Sequence, residues 1–148
     1  MTESTAPITT GRARFGSVLV CDDEPKLALL TAGLLQDHGF DALTVNRGDE
    51  ALARIGSGVG VLLLDVNLGD GPSAFQVLEE MKRRSSTVPA ILTSGFAAED
   101  LPERLIQHVQ VTGYLSKPYT VDQLVAQVRA VLALSGSHGS TPRARPQS

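Results

Sequence analysis

Cysteine is almost missing from this chain. Cys21 is the only one in 148 residues, which excludes a disulfide framework and a thiolate metal site and leaves Cys21 to read as a small apolar core residue. Long hydrophobic runs are missing too, because no apolar stretch approaches the roughly 20 residues a membrane span needs. The segment Met1 to Arg14 has no apolar core of the secretory-signal kind. A basic surplus is also lacking: 13 Lys and Arg stand against 16 Asp and Glu, a net charge of -3. That mild acidity speaks against a nucleic-acid-binding domain, which usually carries a basic face. These absences lead to the expectation of a cytoplasmic chain with no nucleic-acid and no membrane partner.

What is present is an alternation of short apolar runs with helical patterns, with no internal repeat. Residues 1–14, rich in Thr, Ser, Gly and Pro, read as a flexible lead, and residues 135–148 as a disordered, linker-like tail. Residues 15–134 read as one domain, in a chain of a size that buries about two-thirds of its unfolded surface. Strands are expected over Gly16–Cys21, Asp41–Val45, Val59–Leu64, Pro89–Thr93 and Thr112–Leu115. Val59–Leu64 is apolar without alternation, as a strand buried on both faces should be. The first helix has Pro25 in its first turn, Leu27, Leu30, Leu34 and Leu35 on one face, and Gly39 at its end. The second spans about Gly48 to Ile55. The third opens on a Ser73–Gln76 capping box. The fourth lies somewhere within Ala97 to Gln110, with Pro102 near its start. The fifth is capped by Thr120 with Gln123 and carries Val121, Leu124, Val125, Val128, Val131 and Leu132 at helical spacing. Such β-α alternation implies an α/β fold with a parallel sheet covered on both faces and right-handed crossovers.

Ligands of open α/β sheets bind beyond the carboxyl ends of the strands. At that edge stand Asp22 and Asp23 after the first strand, Asp65 after the third, Ser94 after the fourth and Lys117 after the fifth. Bare carboxylates at the ends of buried strands are costly unless something neutralises them. Hard oxygen ligands suit Mg²⁺, which favours one or two carboxylates together with a phosphate oxygen. A carboxylate can also act as a nucleophile and receive a phosphoryl group. The added charge then needs a cation, an ammonium and a hydroxyl donor.

In order, Asp22-Asp23, Asp65-Val-Asn67, Thr93-Ser94-Gly95, Tyr114 and Lys117-Pro118 resemble the signature of response-regulator receiver domains of two-component signalling. The resemblance spans about Gly16 to Ala133. It implies a flavodoxin-like (βα)5 fold with a five-stranded parallel sheet of order 2-1-3-4-5. It also implies Asp65 as the phospho-acceptor, with Mg²⁺ held by Asp22, Asp23, Asp65 and the Asn67 backbone carbonyl. Ser94 would bond the phosphoryl oxygen, Lys117 would pair with it, and Tyr114 resembles the switch aromatic that moves with Ser94. The Lys117-Pro118 bond resembles the family's cis peptide. The donor implied is a histidine kinase or a histidine phosphotransfer protein. The implied output is protein contact through the face formed by helix four, strand five and helix five.

The chain departs from the pattern in places. Gly69 stands where the family often has proline, inside Asn67-Leu-Gly-Asp-Gly-Pro72, so this loop is expected to be looser, with Pro72 restoring some stiffness. Gln110-Val-Thr112 replaces the usual small residues before strand five, so helix four is expected to be short or displaced. Thr93 and Ser94 compete for the hydroxyl role, and counting from Pro89 selects Ser94. Simpler roles stand beside these: Asp23 or Glu24 as caps of helix one, Ser94 as a cap of helix four, Tyr114 as an edge-strand aromatic, Asp70 as a turn residue. His38, His108 and His138 show no ligand spacing and no assignable carboxylate partner, and read as surface or structural residues.

The leading expectation is a stand-alone phospho-acceptor receiver that catalyses only its own phosphorylation and dephosphorylation and is otherwise no enzyme. A receiver fragment of a hybrid histidine kinase, a phosphate sink and a phosphate-independent scaffold are alternatives. An aspartyl-nucleophile phosphatase is the alternative from another class, but Asp22-Asp23-Glu24 lacks that chemistry's usual second acid two residues after the nucleophile.

Overall fold

A computed structural model of the chain describes residues 17–56 and 58–137. The elements are β1 (Ser17–Cys21), α1 (Pro25–Asp37), β2 (Asp41–Val45), α2 (Gly48–Arg54), β3 (Val59–Asp65), α3 (Ala74–Arg83), β4 (Ala90–Ser94), a 3-10 turn (Ala98–Asp100), α4 (Glu103–Ile106), β5 (Val111–Ser116) and α5 (Val121–Ser137). The five strands form one parallel sheet of order β2-β1-β3-β4-β5. This is the flavodoxin-like order, with the reversal between β1 and β3. Among the described residues, no helix is long and apolar enough to cross a membrane.

Side-chain alternation sends the strands' apolar residues into two cores. Val18, Val20, Val61, Leu63 and Ile91 pack under α1 and α5, whereas Leu19, Leu62, Leu64 and Leu92 pack under α2, α3 and α4. Cys21 belongs to the second core and is buried. Both capping boxes form. Ser73 Oγ accepts from the Gln76 N–H while Gln76 Oε1 accepts from the Ser73 N–H, and Thr120 and Gln123 exchange the same pair.

Two expectations change. The buried face of α1 is Ala28, Thr31, Ala32 and Leu35. Of the four leucines expected on one face, only Leu35 is fully buried; Leu27 and Leu34 are half-buried, Leu34 packing on the core, and Leu30 is 59% exposed. The helix packs close to the sheet through small residues, which turns its extra leucines outward. Helix four is short, as expected: a single turn with Pro102 at its N-cap, preceded by a 3-10 turn. The other change is His108, which has a carboxylate partner after all. Its Nε2 lies 2.8 Å from Glu79 Oε2 and its Nδ1 accepts from the Gln110 N–H. It thereby ties the end of α4 to α3 across 29 residues of sequence. At the C-terminus α5 continues to Ser137, into the expected tail. The lead over residues 1–14, the rest of the tail and His138 lie outside the described residues.

Candidate functional site

Strand register brings the site together. Cys21 pairs with Leu64, so Asp22 emerges level with Asp65. Asp65 pairs with Thr93, and Ser94 with Ser116, so Ser94 and Lys117 leave the sheet at the same edge. Asp22 and Asp65 are only 6% and 5% exposed, while Asp23 faces outward. The three acids each bring one oxygen within 4.8 Å of the others.

Each buried carboxylate is held by backbone on one oxygen. Asp22 Oδ1 accepts from the Glu24 N–H at 3.0 Å, and Asp65 Oδ1 accepts from the Asn67 N–H at 3.0 Å. Their other oxygens share Lys117, whose Nζ lies 3.0 Å from Asp65 Oδ2 and 3.5 Å from Asp22 Oδ2. Burial pushes the Asp65 carboxyl above the usual range, against the Asn67 N–H and Lys117, and the charge of Asp22 adds to the rise. Burial pulls Lys117 down, but the hydrogen bond and charge of Asp65, joined by Asp22, leave it raised. Burial, helped by the neighbouring acids, raises the Cys21 thiol to about 12, so it is no thiolate ligand.

Around this centre the remaining expected residues fall into place. The Lys117-Pro118 bond is cis. Ser94 Oγ accepts from the Phe96 N–H at 3.0 Å, and the Tyr114 hydroxyl donates to the Phe96 carbonyl. Phe96 thus joins Ser94 to Tyr114 through its backbone. Glu24 is the N-cap residue of α1 but makes no side-chain cap; the Asp22 side chain takes its N–H instead. The loop after β3 passes close to the acids. Gly69 has φ +67, a left-handed conformation that favours glycine, and a methyl group there would lie 2.9 Å from the tip of Asp23, at Oδ2.

One site neighbour escapes a reading by strand ends alone. Asn46, at the end of β2, donates from Nδ2 to the Asp22 carbonyl at 2.9 Å. Strand order holds the clue, because β2 borders β1 and its carboxyl end must adjoin Asp22.

Two buried carboxylates share one ammonium, a third carboxylate stands at the rim, and Asp65 is pushed toward its neutral form. The pocket is short of positive charge and lined with hard oxygen donors. That donor set fits a divalent cation such as Mg²⁺ better than a soft metal.

Comparison with known proteins places the chain among receiver domains. Residues 18–129 match the family model described as the response regulator receiver domain. The sensory transduction protein RegX3 of Mycobacterium tuberculosis is 36% identical over 125 residues, covering 84% of this chain and 54% of that protein. The transcriptional regulatory protein CpxR of Klebsiella pneumoniae is 32% identical over 118 residues, covering 80% and 50%. The chain therefore spans about half the length of the curated relatives it matches. Among solved structures, the receiver domain of NtrX from Brucella abortus superposes with a TM-score of 0.71 at 28% identity, covering 78% of this chain and 98% of that one. The receiver domain of a LuxO-like repressor from Vibrio parahaemolyticus gives 0.74 at 26%, covering 81% and 92%.

Proposed function

Because the chain belongs to the response regulator receiver domain family, we propose that Asp65 accepts a phosphoryl group from the phosphohistidine of a histidine kinase or of a histidine phosphotransfer protein. The family is one of signalling modules rather than metabolic enzymes, and a histidine kinase is its usual partner. The observation that supports this reading most is the placement of Asp65. It is nearly buried, level with Asp22, and held between the Asn67 N–H and Lys117 Nζ.

One Asp65 oxygen forms the new P–O bond as the donor's P–N bond breaks, and the departing imidazole takes the electron pair and a proton. Mg²⁺, held by Asp22, Asp23, Asp65 and the Asn67 carbonyl, supplies positive charge to the phosphoryl oxygens when bound. Lys117, already directed at Asp65, pairs with a phosphoryl oxygen, and the Ser94 hydroxyl donates to another. Ser94 Oγ accepts from the Phe96 N–H and keeps its own O–H free to donate, so a shift of Ser94 toward the phosphoryl group carries the Phe96 backbone, and with it the partner of the Tyr114 hydroxyl. Repacking then reaches the face of α4, β5 and α5, where a downstream protein binds. On the other side, Leu27, Leu30, Leu34, Pro118 and Tyr119 line an apolar groove next to Lys117. The donor protein docks there, which gives the outward-facing leucines of α1 a use.

Incubation with acetyl phosphate and Mg²⁺, read by intact mass, tests the reading. An adduct of roughly 80 Da, one phosphoryl group, is expected on the parent chain and not on Asp65→Asn. No adduct with any donor overturns the proposal, and steady turnover of assorted phosphate esters would favour a hydrolase instead.

A further inference from the structure

The loop that follows Asp65 is braced from both sides. On the inner side, Asp23 meets it at Gly69. On the outer side stand Arg47 and Gly48, the N-cap and first residue of α2, with Asn46 before them anchored to the β1 end. Asn46 Nδ2 bonds the Asp22 carbonyl at 2.9 Å. The Arg47 guanidinium lies beside Gly71, where a methyl group would meet Nη2 at 2.9 Å and Cζ at 3.1 Å. Gly48 lies so close to Pro72 that a methyl group there would be 3.0 Å from the Pro72 carbonyl oxygen. Arg47 is itself aimed: Asp49 grips its fork through Nε at 3.0 Å and Nη2 at 3.2 Å, and the charge of Asp70 in the braced loop attracts it.

We propose that Arg47 is a positioning residue for the metal site, holding the Gly69–Pro72 segment against Asp23 and thereby fixing the Asn67 carbonyl. The proposal rests on the reading of Asp22, Asp23, Asp65 and Asn67 as the Mg²⁺ ligands. Two positive-φ glycines, at +67 and +86, leave this loop little stiffness of its own. Order must therefore come from what packs on it. A planar, two-pronged guanidinium held by Asp49 can provide that order, whereas a flexible ammonium cannot. The Arg47 and Asp49 side chains are 44% and 53% exposed, so their pair adds little to the stability of the fold.

Charge alone predicts the opposite sign. A cation at the rim of the site repels a second cation, so its removal should tighten Mg²⁺ binding. Positioning predicts looser binding, as for other outer groups that orient metal ligands. Calorimetric titration with Mg²⁺ of the parent chain, Arg47→Gln and Arg47→Lys separates the two. Both variants should show a dissociation constant raised about 10-fold, the low end for outer groups that orient metal ligands, with an unchanged urea midpoint in EDTA. With acetyl phosphate, the Mg²⁺ concentration for half-maximal labelling should rise by the same factor while the maximal rate stays constant. Unchanged or tighter Mg²⁺ binding in either variant overturns the proposal, as does a fall of the EDTA midpoint that accounts for the change. Absence of Mg²⁺ binding by the parent chain overturns the ligand reading itself, and a parent that binds with unaffected variants overturns the role of Arg47 alone.

Discussion

Replacing Lys117 with methionine removes the ammonium that two buried carboxylates share while keeping a side chain of similar length. Its Nζ stands 3.0 Å from Asp65 Oδ2 and 3.5 Å from Asp22 Oδ2. At an effective dielectric of about 20, each contact is worth about 5 kcal/mol before desolvation. The lysine side chain is 27% exposed, so solvent screens part of this, and its own burial cost is recovered on removal. A net loss of roughly 2 kcal/mol at neutral pH without metal remains. With a slope of about 1.5 kcal/mol/M, the urea midpoint should fall by roughly 1–2 M. The loss should shrink under two conditions. Saturating Mg²⁺ supplies the missing positive charge and stabilises the variant more than the parent, by linkage. Lower pH protonates the carboxylates that the lysine no longer neutralises, and the variant recovers as they lose charge. Urea titrations at neutral and acidic pH, in EDTA and in Mg²⁺, measure all three. A variant as stable as the parent in EDTA, or a deficit that neither Mg²⁺ nor acid reduces, would refute the view that Lys117 offsets excess negative charge.

Asp65→Asn should act in the opposite direction. Burial raises the Asp65 pKa in the folded state, so the fold keeps a proton that the unfolded chain releases above about 3.9, and stability falls as pH rises through that window. The variant should be more stable than the parent at neutral pH in EDTA, with its advantage fading below about pH 4; equal stability at neutral pH would contradict this. Ser85 closes α3 with φ 58, donating its N–H to the Lys82 carbonyl while Ser86 reaches the Met81 carbonyl. Ser85→Gly should relieve that left-handed conformation and add about 0.5–1 kcal/mol in urea unfolding, and a loss of stability would argue against strain there. Phe96 is 62% exposed beside Ser94, and Phe96→Glu should shorten the phosphoform half-life by roughly threefold or more by admitting water. An unchanged decay of the mass adduct would remove Phe96 as a shield.

Much of the architecture was legible because local chemistry and global fold agree. The run Val61–Leu64 reads as a central strand, and it lies in the middle of the sheet. The capping boxes at Ser73 and Thr120 mark where α3 and α5 begin. α1 was harder to read, because a helix with apolar residues around most of its circumference does not say which arc faces the sheet. Close packing chose the small arc, Ala28, Thr31 and Ala32, and left Leu30 for the groove. α4 was legible only in outline, as a short helix with Pro102 near its start, and the residues of its turn were not. Its single turn is held by contacts such as His108 with Glu79, which helical periodicity cannot signal.

Sequence alone determined the order of the strands along the chain and the chemistry at each strand end: acids after β1 and β3, a hydroxyl at the end of β4, an amine after β5. It did so because these residues interrupt apolar runs that must be buried. Only the tertiary structure decided that Cys21 pairs with Leu64, so that Asp22 and Asp65 stand level, and that Lys117 lies nearer Asp65 than Asp22. It alone decided that Arg47 lies on Gly71 and Asn46 on Asp22. Such distances join residues 24 to 95 positions apart. They follow from register and close packing, which no local pattern encodes.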